Sequence, residues 1–143
     1  MNEHMKSIGR WRFYALSFTW GLPMSLVGLI VCLALICTGH KPERYGHCYY
    51  MTVGKKNWGG VNFGWFFLVS PKASEKTKRH ELGHGYQNAC EYGWLMPIFG
   101  LISFTRYCLV NFFNVKLDYY AWQFESQANE IGDLIMGEGW NEN

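Results

Sequence analysis

The chain contains no C-x-x-C pair, no internal repeat, no low-complexity tract and no basic stripe interleaved with aromatics. Its five cysteines, Cys32, Cys37, Cys48, Cys90 and Cys108, form an odd set without paired spacing, which excludes a disulfide framework. A formal net charge of +2 with no basic face leaves no electrostatic footprint for nucleic acid, so no nucleic-acid partner is expected. One long stretch lacks charge altogether. Phe13 to Gly39, FYALSFTWGLPMSLVGLIVCLALICTG, holds no Asp, Glu, Lys, Arg or His.

A helix needs about 20 residues to cross a bilayer; this run exceeds that length and falls short of two crossings. It outruns the apolar core of a secretory signal, and no small-x-small cleavage pattern follows it. A buried core helix would need more chain around it than remains. The run therefore predicts a single transmembrane anchor over 13–39 behind an N-terminal tail at 1–12. Pro23 sets the start of its regular part near Ser17 or Trp20. Lys6, Arg10 and Arg12 before it balance Lys41, Arg44, Lys55 and Lys56 after it, so flanking charge does not orient the anchor.

Residues 40–143 read as a small α+β domain. Tyr45 to Val53 is rich in strand-forming aromatics, GKKN is a turn, and Val61, Phe63, Trp65, Phe67 and Val69 alternate along one face. That pattern predicts a β-hairpin in which Gly59, Gly60 and Gly64 allow close approach to the second strand. Pro71 ends it, and Ser74 is placed to cap a helix. The apolar stretch Gly93–Phe113 is interrupted by Pro97, Gly100 and Arg106, which predicts a bent helical segment. A last helix is expected from Val115 to Met136. Its core stripe is Leu117, Ala121, Phe124, Ala128, Ile131 and Ile135.

The helix behind Ser74 carries His80-Glu81-Leu82-Gly83-His84. Histidines at i and i+4 stand one turn apart on one face, so both imidazoles can bind one tetrahedral Zn²⁺. Glu81, beside the first ligand, can take a proton from an attacking water without binding the metal itself. Gln87 and Glu91 share this polar face. Gly83 and Gly85 each cost the helix about 1 kcal/mol relative to alanine, which packing or metal must offset.

A working site needs a third protein ligand. H-E-x-x-H-x-x-G-x-x-H would put glycine at 87 and histidine at 90, where this chain has Gln87 and Cys90. Glu125, in WQFESQANEIG, is the better candidate. It lies at the edge of the last helix's core stripe between Ala121 and Ala128, small residues that permit close helix approach. Glu130 falls on the solvent side, and Asp118 and Asn129 share Glu125's flank. Asn129 is placed to accept the N–H of a ligating histidine and fix its tautomer.

HELGH followed by an E-x-x-A-N helix resembles the gluzincin branch of zinc metallopeptidases. There the third ligand is a glutamate in E-x-x-x-D or E-x-x-A-D. The resemblance covers about residues 59–133. It implies a zincin-like domain, with Zn²⁺ on His80, His84 and Glu125 and Glu81 as the catalytic base. By the same likeness Val61, Asn62, Phe63 and Gly64 would form a strand that aligns an extended peptide substrate. The chain departs from the family at Asn129, where the usual residue is aspartate; an amide orients a histidine but leaves it a weaker base. Tyr86, Tyr107, Tyr119 and Tyr120 are all available as oxyanion stabilisers.

The site also constrains topology. The histidines precede Gly93–Phe113 and Glu125 follows it, so a single crossing by that segment would put the ligands in different compartments. The expectation is one true span, at 13–39, and a site near the membrane surface, facing a peptide or protein substrate beside the lipid bilayer. Two other readings stay open on the sequence: a zinc-stabilised binding or structural protein, and a metal-free membrane adaptor.

Overall fold

Two glycines decide the sheet. Gly46 and Gly64 have φ of 61° and 77°, and each is the first of two residues joining a tight hairpin, closed by Tyr45 opposite Cys48 and by Phe63 opposite Phe66. Glycine reaches that backbone region without steric cost, and a leading glycine suits the two-residue turns that match strand twist. The computed structural model, which describes residues 3–116 and 122–137, thus has four strands. They are β1 (Glu43–Tyr45), β2 (Cys48–Thr52), β3 (Gly60–Phe63) and β4 (Phe66–Val69), in the order β1-β2-β4-β3.

The single hairpin expected from 45–53 and 61–69 is replaced by these two. Each expected strand contains its own turn, and β2 lies parallel to β4, Tyr49 opposite Phe66 and Thr52 opposite Val69. β3 is left at an edge.

The helices are α1 (Glu3–Lys6), α2 (Arg10–Ser17), α3 (Leu22–Cys37), α4 (Glu75–Gln87), α5 (Met96–Phe112) and α6 (Gln123–Met136). The architecture is mixed α+β. The uncharged run does not form one straight anchor, because α2 and α3 meet at a 101° bend. At the bend Gly21 lies against Asn88, whose side-chain amide donates to Gly21 O at 3.2 Å; a Cβ at Gly21 would fall 2.3 Å from that nitrogen.

α2 belongs to the core: Phe13 is fully buried against Tyr86 and His47, with ring centroids 5.0 and 5.6 Å apart. Ahead of it, Met5 and Ile8 join the same cluster. α3 lays Ser25, Gly28 and Cys32 on the sheet and leaves Leu26, Val27, Ile30, Leu33 and Ile36 exposed.

Among the described residues, the helix long and apolar enough to cross a membrane is the continuous run Glu75–Phe112, internal to the chain. Its first part, α4, carries Glu75, Lys76, Lys78 and Arg79, so its apolar portion is the part from Gly93 onward. The irregularity lies before and at the start of that portion and not within α5. A π-helical turn at Asn88–Tyr92 and a 3₁₀ turn at Gly93–Leu95 precede α5, which takes Pro97 in its first turn and runs unbroken through Gly100 and Arg106.

α4 is the central element. Ser74 caps it, its hydroxyl accepting from Thr77 N at 3.3 Å. From His80 to Gln87 every residue is buried, on all sides of the helix, so the histidines do not lie on a solvated face. Its glycines are contact points. A Cβ on Gly83 would stand 1.9 Å from Ala128 O of α6, and one on Gly132 of α6 would stand 2.0 Å from Arg79 O of α4. On the opposite side a Cβ on Gly85 would stand 2.7 Å from Cys48 Sγ. Packing at this distance offsets the helix propensity that glycine forfeits. Gly83→Ala is accordingly expected to destabilise the fold by about 3 kcal/mol, the strain of overpacking exceeding the propensity gain. Urea unfolding measures it, and equal or higher stability would refute the close crossing.

Candidate metal centre

The Gly83–Ala128 and Arg79–Gly132 contacts bring α6 close enough for a short carboxylate to reach α4. Glu125, fully buried, places Oε2 at 3.0 Å from His80 Nε2 and 3.2 Å from His84 Nε2, and the two imidazole nitrogens are 3.1 Å apart. His80, His84 and Glu125 could together hold a metal ion.

The hydrogen bonds behind the histidines say what the three atoms need. His84 Nδ1 lies 2.7 Å from Gln87 Oε1. The Gln87 amide cannot be reversed, because its Nε2 donates to Phe124 O at 2.9 Å, and a carbonyl only accepts. His84 therefore donates from Nδ1. His80 Nδ1 faces Asn129 Oδ1 at 2.9 Å in the same sense. With both Nδ1 atoms protonated, each neutral ring turns a lone pair inward. Two lone pairs and a carboxylate oxygen then converge with no hydrogen between them, an arrangement that calls for a cation. The triangle fits one: ligand atoms on a tetrahedral ion with bonds of about 2.0–2.1 Å stand about 3.3 Å apart.

Ser103, midway along α5, donates to the other carboxylate oxygen, Glu125 Oε1. Ser103 leaves Oε2 as the oxygen facing the histidines. Supporting partners of this kind are worth about 10–100-fold in metal affinity. Ser103→Ala is expected to weaken metal binding by that factor in a competition titration with a chromophoric chelator, with Ser103→Thr restoring it.

Glu81 is buried beside His80, and its Oε2 has no hydrogen-bond partner among the described residues. It fits there because Gly60 has no side chain: a Cβ on Gly60 would fall 2.9 Å from Glu81 Oε1. Burial pushes the Glu81 carboxyl up to about 7, with His80 opposing the rise and Glu125 adding to it. A carboxylate poised near neutrality is what proton transfer at neutral pH requires.

A cavity of about 610 Å³ reaches His80, Glu81 and His84 and is lined by Gly60, Val61, Asn62 and Phe63 of β3. Asn62 ties this edge strand to α4, its side-chain amide donating to Glu81 O at 2.8 Å. Gly64 is not in the cavity; it occupies the turn and faces Asn88 and Ser25.

Glu130 is exposed. Tyr86 is a core residue against Phe13, whereas Tyr107 lines the cavity. Asp118, Tyr119, Tyr120, Leu117 and Ala121 lie outside the described residues. Gln87 and Ser103 were not singled out as supporting groups. Gln87's place three residues after His84 was a usable signal, and so was a hydroxyl midway along an apolar helix. Compared with known protein families, with curated proteins and with solved structures, the chain matches none.

Proposed function

We propose that this chain is a membrane-associated zinc metallopeptidase of the gluzincin type, with a minimal zincin-like domain. One observation carries the reading: three acceptor atoms from His80, His84 and Glu125 converge at 3.0–3.2 Å, with Glu81 buried beside them at the end of a cavity. Two nitrogen ligands and one oxygen ligand suit Zn²⁺ and leave a fourth position, as catalytic zinc sites do; structural sites are closed by four protein ligands. When bound, the ion polarises a carbonyl and makes its water acidic.

The chain's own residues supply the rest. Glu81 takes a proton from the water whose oxygen attacks the peptide carbonyl carbon. As the C–N bond breaks, it passes that proton to the amine nitrogen. Asn129 and Gln87 hold the imidazoles in their inward tautomers, and β3 offers an edge for an extended substrate, centred on Val61, Asn62 and Phe63.

Membrane association is inferred from α3 and α5, whose exposed faces are apolar and which are each preceded by an exposed tryptophan, Trp20 and Trp94, suited to a membrane–water boundary. The decisive experiment pairs elemental analysis of the purified full-length chain with peptide hydrolysis before and after chelation. One equivalent of zinc, and activity lost on chelation and restored by zinc, is the expected outcome. A zinc-bound protein that hydrolyses no peptide would favour the binding or structural alternative.

A further inference from the structure

His80 and Glu81 lie where two cavities of different character meet, one mainly apolar and one mixed. The larger, about 610 Å³, is walled by Met24 of α3, by Met96, Leu101 and Phe104 of α5, and by Phe63 and Phe124. The smaller, about 220 Å³, is bordered by Gly59, Lys76, Thr77 and Asn129. Trp58, Gly60, His80, Glu81 and Tyr107 line both. Leu101 and Phe104 line the larger cavity and are also 68% and 64% exposed, so its wall continues directly into the outer apolar face of α5. α3, the other helical wall, turns Val27 and Ile30 outward.

We propose that these are two separate routes to the same site. The apolar one, between α3 and α5, admits an extended polypeptide segment held in the bilayer, and the polar one admits water. This rests on the peptidase reading and names its substrate class.

The occupant is a polypeptide because of β3. Gly59 O accepts from Ser70 N at 2.9 Å, and Phe63 pairs with Phe66 in the hairpin. In the antiparallel alternation, residues 59, 61 and 63 therefore bond to β4, and the main-chain groups of Gly60 and Asn62 point away from the sheet. An extended peptide can pair with such an edge; an acyl chain cannot. The segment comes from the bilayer because the rim is apolar. A hydrated peptide would have to shed the water on its main chain to pass the apolar rim of Leu101 and Phe104, whereas a bilayer segment reaches the cavity without passing through water. Meanwhile α4 carries its charged first turn within about 8 Å of His80 along the axis, at 1.5 Å per residue, which sets the site at interfacial depth with the polar mouth toward water.

The test uses the full chain in phosphatidylcholine vesicles with a single-span test peptide. Benzoylphenylalanine is placed at Leu101 in one variant and at Thr77 in another. Irradiation is expected to give adducts of lipid and of the test peptide at 101 and neither at 77. Peptide adducts at 77, or none at 101, would overturn the proposal. The second arm is Gly100→Phe. Gly100 lines the apolar cavity and a Cβ there meets nothing within 4 Å, so the ring fills the route without distorting the helix. Crosslinking of the peptide to Trp58→benzoylphenylalanine should fall at least 10-fold with Gly100→Phe, with bound zinc unchanged; undiminished crosslinking would exclude this entrance. These readouts need no turnover. A chain that crosslinks the peptide at 101 but never cleaves it leaves the route standing and removes the peptidase reading.

Discussion

Glu125→Ala is expected to bind zinc more than 100-fold more weakly than the unaltered chain. The carboxylate supplies one of three convergent atoms, and it is the one that brings negative charge to the ion. Its loss should therefore exceed the roughly 10–100-fold effect of removing a partner that only supports a ligand. His84→Ala should behave alike, since its Nε2 lies within 3.2 Å of both other atoms.

The stability readout is independent of assay. A ligand at 100 times its dissociation constant adds about 2.7 kcal/mol to the folded state, worth about 10 °C in Tm for a chain of this size. Chelation should lower the Tm of the unaltered chain by about that much and leave Glu125→Ala nearly unmoved. If all three proteins carry equal zinc, the convergence of these groups has nothing to do with metal.

The parts of the site legible in sequence are those set by helical geometry. The i, i+4 spacing places His80 and His84 on one turn, and the stripe Phe124, Ala128, Ile131, Ile135 fixes which side of α6 faces inward, with Glu125 beside it. The depth of Glu125 was less accessible. A boundary position suggests partial exposure, but the Gly83–Ala128 contact draws the helices together until the carboxylate is wholly covered. Whether two helices touch through backbone depends on both partners, and no single helix pattern carries that.

The sheet and the apolar run depart from the local pattern for a related reason. An alternation that continues through Gly64 looks like one strand, yet a glycine followed by an aromatic is also a tight-turn lead, and the buried Trp65 holds that turn by donating to Ser25 O at 2.9 Å. Likewise nothing local distinguishes Phe13 from a lipid-facing residue. Its partners, His47 and Tyr86, lie far along the chain. Hydropathy counts apolar residues without knowing whether protein or lipid covers them. Ser103 was hidden for the converse reason, as a small polar residue inside a helix whose composition speaks only of its outer face.

Glu81→Gln is expected to separate binding from chemistry. Hydrolysis should fall by about 10²–10⁴-fold, the usual contribution of a positioned acid–base group. Zinc content should be unchanged, because the amide replaces no ligand atom: the metal triangle is His80, His84 and Glu125. Stability should hold to within about 1 kcal/mol, because the substitution keeps the side chain's shape against Gly60 and removes a buried charge whose Oε2 lacks a partner among the described residues. A fold maintained for its own sake would not be expected to keep such a group; proton transfer requires it. Glu81→Asp is the sharper control. It retains the acid but retracts it by one methylene, so a general base should lose most of its rate, whereas a group that only tunes local charge should lose little. Full activity in Glu81→Gln, with zinc still bound, would leave a metal-stabilised binding protein as the remaining account.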